Sequence, residues 1–365
     1  MPNTLQKTED DEDGPCLSTG SKRKPKKTMA EEEVDNLEPI CEPVAKDETE
    51  YNMSHEGGRG YAIILFHTKF QNPEIYPERN FKTKTIYDTN EKTDEKTDAE
   101  HMIDVYRALG FRHIEVFENL ERHQITRLVD KLLRPVSKIY NFDDKDCLSI
   151  TISSYSDREA SGRFQTYDES ILFTDLWQSL SSDKIPSLGS KPKIFFYDCS
   201  RGSATDPGAL LEKDDDKTPT SRTLAQQDEI DPKDMKLTYK KQYKLPRMAD
   251  FFLAYSSAKG HRSYNEVQNS PFIEELKHVF IENQRKEDDQ KDDLLSLMTV
   301  VTRQMATTYT DPLEGNKQCP SCTSTLIRKV YFRGNGALED ECTINFVTSD
   351  EFESYFRDKL KVDPR

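Results

Sequence analysis

From Tyr61 to Ser200 the sequence switches repeatedly between two apolar periods, and that alternation constrains the fold more than any single motif. YAIILFHTKF (61–70) opens with a buried-strand run. DAEHMIDVYRALGF (98–111) sets Met102, Ile103, Tyr106 and Leu109 on one helical stripe, ended by Gly110. HIEVFEN (113–119) alternates as a strand, ERHQITRLVDKLLRPVSKIY (121–140) is helical up to Pro135, and CLSITISSYS (147–156) is β-branched and strand-like. ESILFTDLWQSLSS (169–182) predicts another helix and KIFFYDCS (193–200) another strand. Further along, MADFFLAYSSA (248–258) predicts a strand, FIEELKHVFIENQ (272–284) and DLLSLMTVVTRQMAT (293–307) two helices, and STLIRKVYF (324–332) a last strand. Strands separated by helices imply parallel pairing through right-handed crossovers, with both sheet faces covered. The expected fold class is α/β, a three-layer sandwich around a mostly parallel six-stranded sheet.

Composition sets the boundaries. Apolar residues make up 34% and charged residues 33% of the chain, too polar for uniform packing but suited to a globular centre with solvated flanks. Residues 1–56 read as a disordered extension, 57–202 and 203–247 as a first globular region and a long polar linker, 248–332 as a second globular region, and 333–365 as a charged extension with a short helix near EFESYFRDKL. A net charge of −15 argues against a nucleic-acid partner. With no apolar run of membrane-spanning length and no signal-peptide core near the start, the expected compartment is cytoplasmic, with SKRKPKK (21–27) as a candidate nuclear import signal. Seven cysteines, odd in number, read as reduced thiols.

In an open α/β sheet, ligands gather at the carboxyl ends of the strands. Two such ends stand out: ISSYSD (152–157) and FYDCSRG (196–202). Together with KPKIFF, FFLAYSSAKG and KQCPSC, they make residues 61–332 similar to the caspase family, whose signature is Q-A-C-[RQG]-G with a catalytic histidine about 50 residues upstream. The resemblance implies that fold, a two-part chain divided at the linker, and a dimer formed through the last strand.

The same resemblance exposes departures. Asp198 falls where the family's glutamine stands, Cys199 at the alanine, and Ser200 at the nucleophilic cysteine, so the only cysteine nearby is one place early. A one-residue shift on a strand turns a side chain to the opposite face. The histidine of the family's serine–histidine–glycine–glutamate turn is replaced in SYSD by Tyr155. A phenol with an ordinary pKa near 10 is a poor proton acceptor at neutral pH, and an unactivated hydroxyl is a far weaker nucleophile than a thiolate. The family holds an aspartate side chain with two arginines and the glutamine. Here those positions read Lys92, Asn265 and Asp198, and the last would repel a carboxylate.

CPSC (319–322) has metal-like spacing without a second pair, so neither a metal nor any other cofactor is expected. The resemblance places the dimer edge at Thr325, Leu326, Ile327, Arg328, Lys329, Val330 and Tyr331, and Asp206, Asp216 and Asp231 are candidate linker cleavage sites. The expected function is that of a non-enzymatic homologue. It would regulate active caspases in apoptosis by pairing with an active paralogue, enhancing rather than inhibiting it, or with a second copy of itself. A weak divergent endopeptidase using Cys199 or Ser200, and a peptide-binding module using the altered cleft, are the alternatives.

Overall fold

A computed structural model describes residues 48–79, 96–133, 139–157, 162–209, 245–264, 269–334, 336–337 and 341–362. Its main sheet has seven strands: β1 (Gly60–Phe66), β2 (His113–Glu118), β3 (Cys147–Ser153), β6 (Lys193–Asp198), β7 (Phe251–Tyr255), β8 (Ser321–Ser324) and β9 (Thr343–Thr348). They lie in the order β8-β7-β6-β3-β1-β2-β9, and every pairing is parallel except β7 with β8. A separate hairpin joins β4 (Arg163–Gln165) to β5 (Ser170–Leu172).

Alternation along the strands feeds two cores. Ala62, Ile64 and Phe66 of β1 point into one, beside α1 (Asp98–Ala108), α4 (Pro271–Gln284) and α5 (Leu294–Thr308). Ile63 and Leu65 point into the other, beside α2 (Arg122–Leu133), α3 (Phe173–Gln178) and α6 (Phe352–Val362). With helices on both faces, β3 and β6 have no exposed residue. Two helix starts matter for the site. Thr97 caps α1 in a reciprocal capping box with Glu100, and Ser270 caps α4 by accepting from the Ile273 N–H. Ser270 joins the two starts to β6: its N–H donates to Asp98, the first residue of α1, and its Oγ donates to Asp198 at the end of β6.

Four expectations change. The helix expected over 169–182 starts as β5, because Ser170–Leu172 pair with β4, and only Phe173–Gln178 are helical. The sheet has seven strands, not six, because the charged extension contributes β9, parallel to β2, before α6. The edge strand expected over 324–332 lies earlier, as β8. Thr325 still exchanges backbone hydrogen bonds with Asp250 and Phe251 beside β7, and Leu326, Ile327, Arg328, Lys329, Val330 and Tyr331 follow outside the sheet's strands. Their alternation has another cause: Val330 and Phe332 enter the first core, and Lys329 exchanges backbone hydrogen bonds with Thr49 and Tyr51. The segment that covers this stretch is the chain's own residues 48–53, part of the extension expected to be disordered. The Tyr51 hydroxyl donates to Asp250 at 2.7 Å, and Met53 packs on the same core.

Candidate functional site

β3 and β6 end side by side, with Ser153 registered against Asp198, so the chain beyond each strand faces the same corner. The turn after β6 is laced to the stretch after β7. Arg201 N–H donates to His261 O at 2.9 Å, Gly260 N–H donates to Arg201 O at 3.1 Å, and the Arg201 guanidinium lies 3.9 Å from the centre of the Tyr255 ring. Gly202 is required there, because a Cβ would come within 2.2 Å of the Gly260 carbonyl oxygen.

Cys199 and Ser200 leave this turn in different directions. Cys199 is 0% exposed, packs in the second core with Tyr197 and Tyr255, and burial raises its thiol pKa, helped by the adjacent Asp198 charge. A thiol held protonated in an apolar core cannot attack. Ser200 is 8% exposed and its hydroxyl is fastened to one neighbour: the Ser263 N–H donates to Oγ at 2.9 Å, and Oγ donates to the Ser263 carbonyl at 3.3 Å. Ser263 is itself braced by the Gln318 amide, 3.3 Å from its hydroxyl. A peptide carbonyl has no useful basicity, so this arrangement orders the serine without activating it.

Tyr155 is 5% exposed and forms a small aromatic cluster with Phe70 and Tyr76, with ring centres 5.1 and 5.8 Å away. Its backbone carbonyl accepts from Gln165 of β4, which fixes the ring's direction. Tyr155 therefore sits as a packed aromatic ring.

Beneath the aromatic cluster lies a buried charge group that the sequence did not reveal. Arg79, with no exposed side-chain surface, donates to the His67 carbonyl at 2.9 Å and to Ser153 Oγ at 3.1 Å. Its guanidinium is 3.5 Å from Asp98 and 3.8 Å from Asp198. Asp198 also accepts from Ser153 Oγ at 3.1 Å and from Ser270 Oγ at 2.7 Å, while Asp98 accepts the Ser270 N–H at 2.8 Å. Burial, reinforced by Asp198, pushes the Asp98 carboxyl well above the ordinary carboxylate range against the pull of Arg79. Lys92 and Asn265 lie outside the described residues, as do Asp216 and Asp231. Asp206 is described, and its carbonyl accepts the Lys317 N–H at 2.7 Å in an antiparallel bridge.

His67 also sits at this corner, at the end of β1, its N–H donating to the Ser153 carbonyl. In sequence it lies far upstream of the interval about 50 residues before Ser200 at which the family's histidine stands. Its ring turns toward the Leu120 carbonyl, 3.1 Å from Nε2, and burial lowers its pKa to about 4. So weak a base cannot serve Ser200. A groove of about 450 Å³ between β9 and α6, lined by Phe346, Tyr355 and Lys359, is separated from β6 by β3, β1 and β2 and takes no part in the site.

Comparison with known families decides the affiliation: the Caspase domain family (Peptidase C14) matches residues 59–331. The chain belongs to the caspase family. It is 28% identical over 299 residues to Caspase-1 of Drosophila melanogaster, covering 80% of this chain and 78% of that protein. It is 26% identical over 302 residues to Caspase-1 of Spodoptera frugiperda (80% and 83%) and 27% identical over 289 residues to Caspase-6 of Gallus gallus (78% and 83%). The crystal structure of Caspase-1 from Spodoptera frugiperda matches with a TM-score of 0.57 at 24% identity, covering 81% of this chain and 98% of that one, which shows the caspase fold. The family match ends before β9 and α6, so these two elements are an addition to the caspase domain. Among the described residues, no helix is long and apolar enough to cross a membrane.

Proposed function

We propose that this caspase homologue does not cleave peptides and instead regulates active caspases, in apoptosis, by pairing with them. The observation that carries the reading is Ser200 at the nucleophile's place, its hydroxyl proton directed at a backbone carbonyl, with the neighbouring thiol of Cys199 buried on the opposite face. Loss of nucleophile and base together leaves the scaffold intact. A folded scaffold with an open edge can still select between two states of a partner.

The edge suited to pairing is β8. It bonds to β7 on one side, and Cys322, Thr323 and Ser324 are exposed. An edge of unpaired backbone groups is a template for another strand. The partner we favour is an active paralogue, with enhancement as the expected sign, since an ordered neighbour stabilises the loops an active protomer must order. A second copy of this chain could use the same edge. The test is to co-express the chain with an active caspase and measure both pull-down and aspartate-directed peptide cleavage. Pull-down with raised cleavage supports the reading, and no change in either measurement refutes it.

A further inference from the structure

The sheet has a second open edge, and it belongs to the added unit. β9 bonds to β2 on one side, and among the described residues no strand lies on its other side. In this parallel ladder the Thr343 N–H donates to the Arg112 carbonyl at 2.7 Å, so the backbone groups of Thr343, Asn345 and Val347 turn toward β2. Those of Ile344 and Phe346 therefore turn outward. The next outward N–H, on Thr348, is already taken by the Glu351 carboxylate at 3.1 Å, so the open run is Ile344 to Phe346. Natural edges are blunted by lysine, proline or a bulge. TINFVT has no charge and no proline, its register against β2 is unbroken, and Phe346 is 54% exposed.

Beside this edge lies the groove between β9 and α6, lined on the helix side by Glu351, Ser354, Tyr355, Asp358 and Lys359. Charge decides what it takes. The Lys359 ammonium is engaged by the buried Glu115. Glu351 and Asp358 are exposed. The Thr348 N–H and hydroxyl hold the Glu351 carboxyl below the usual carboxylate range, and the link from Asp358 to Lys361 is a solvent-exposed ion pair of little strength. The lining therefore offers net negative charge to an incoming chain. A second copy paired edge to edge would set two such linings side by side, and like charges oppose that arrangement.

We propose that the β9 edge and this groove take an extended basic peptide, which adds a strand by pairing with the backbone of Ile344 and Phe346 and sets lysine or arginine side chains against Glu351 and Asp358. Side chains alternate along an added strand, so cationic residues on the α6 face would be interleaved with apolar residues on the face that carries Ile344 and Phe346. This goes beyond the pairing through β8. The two edges lie at opposite ends of the sheet, so one can be filled whatever happens at the other.

The test uses the full-length chain and a fluorescent peptide of alternating valine and lysine, with a valine and glutamate twin as reference, followed by anisotropy and by amide hydrogen exchange. The lysine peptide is expected to bind about tenfold tighter than its twin. It should slow exchange at the Ile344 and Phe346 amides and leave Thr343, Asn345 and Val347, already in the ladder, unchanged. Phe346→Pro removes one outward N–H without touching the β2 ladder and should abolish binding. Should the proline unfold the added unit, Asp358→Lys on the exposed side of α6 is the second variant, and it should remove most of the preference for lysine. Equal binding of the two peptides, or no slowing at the two outward amides, would overturn the proposal. Slowing there that grows with protein concentration in the absence of peptide would overturn it too, by making a second copy the occupant. C322K/S324K, whose lysines block the β8 edge, should bind the peptide as the wild type does, so loss of caspase pairing and loss of this site are read separately.

Discussion

The Ser200 hydroxyl and the backbone of Ser263 satisfy each other, the amide donating at 2.9 Å and the carbonyl accepting at 3.3 Å. That reciprocal pair turns the nucleophile's position into a strut between the turn after β6 and the loop after β7. Ser200→Ala should therefore act on stability and not on function. Leaving a buried N–H unpaired costs about 1–3 kcal/mol. Urea unfolding should show that loss, while partner stimulation in the co-expression assay stays at the wild-type level.

Restoring the two obvious side chains should not restore an enzyme. Y155H/S200C would place an imidazole and a thiol near the corner, but Asp198 would still occupy Arg79. No turnover of an aspartate-ended fluorogenic peptide is expected from the double variant. Measurable turnover would mean that the buried charge group does not control the site.

His67 gives the fold an acid sensitivity. Its folded pKa, about 4, lies below the ordinary 6.5, because burial disfavours the imidazolium. A group with a depressed folded pKa binds its proton first in the unfolded chain. The stability it contributes is present above pH 6.5 and is lost as pH falls toward 4. The full loss approaches about 3 kcal/mol. Urea midpoints of the wild type and His67→Leu, each at pH 7 and pH 4.5, check this. The wild type should lose more stability on acidification than the variant.

Much of this architecture was readable from period alone, and the reasons for the failures are specific. Strands β1, β6 and β7 carry apolar runs, and β3 alternates apolar residues with Ser149, Thr151 and Ser153, so nothing competed with the strand reading. Residues 325–332 also alternate, but what they bury against is the chain's own residues 48–53, a contact far away in sequence that no local pattern encodes. β9 was missed because its exposed residues hide an alternating strand whose single fully inward residue is Val347. At the site, the shift that separates Cys199 from Ser200 was legible from strand alternation. Arg79 was not, because its approach to Ser153 and Asp198 is a contact far away in sequence that no local pattern encodes.

The added β9–α6 unit should be part of the cooperative fold. Phe356 of α6 stacks on Phe117 of β2 with ring centres 6.1 Å apart, and Glu115 accepts from Tyr355 at 2.8 Å and pairs with Lys359. Phe356→Ala should cost about 3–5 kcal/mol. A single shifted unfolding transition is expected. A separate early transition for the C-terminal unit would show that it is only appended.

Pairing through β8 has its own signature. Lysines on an exposed edge oppose strand addition. C322K/S324K should abolish pull-down of an active caspase without lowering the chain's own melting temperature. Ile327→Lys, on the stretch that follows, should leave pull-down intact.

The most direct measurement on the central claim is made with the purified wild-type chain alone, free of any companion protease. It is incubated with a library of fluorogenic peptides and with electrophilic peptide probes, then mapped by mass spectrometry. The account predicts no turnover and no label on Cys199 or Ser200. Sustained turnover, or covalent capture of Ser200, would contradict it.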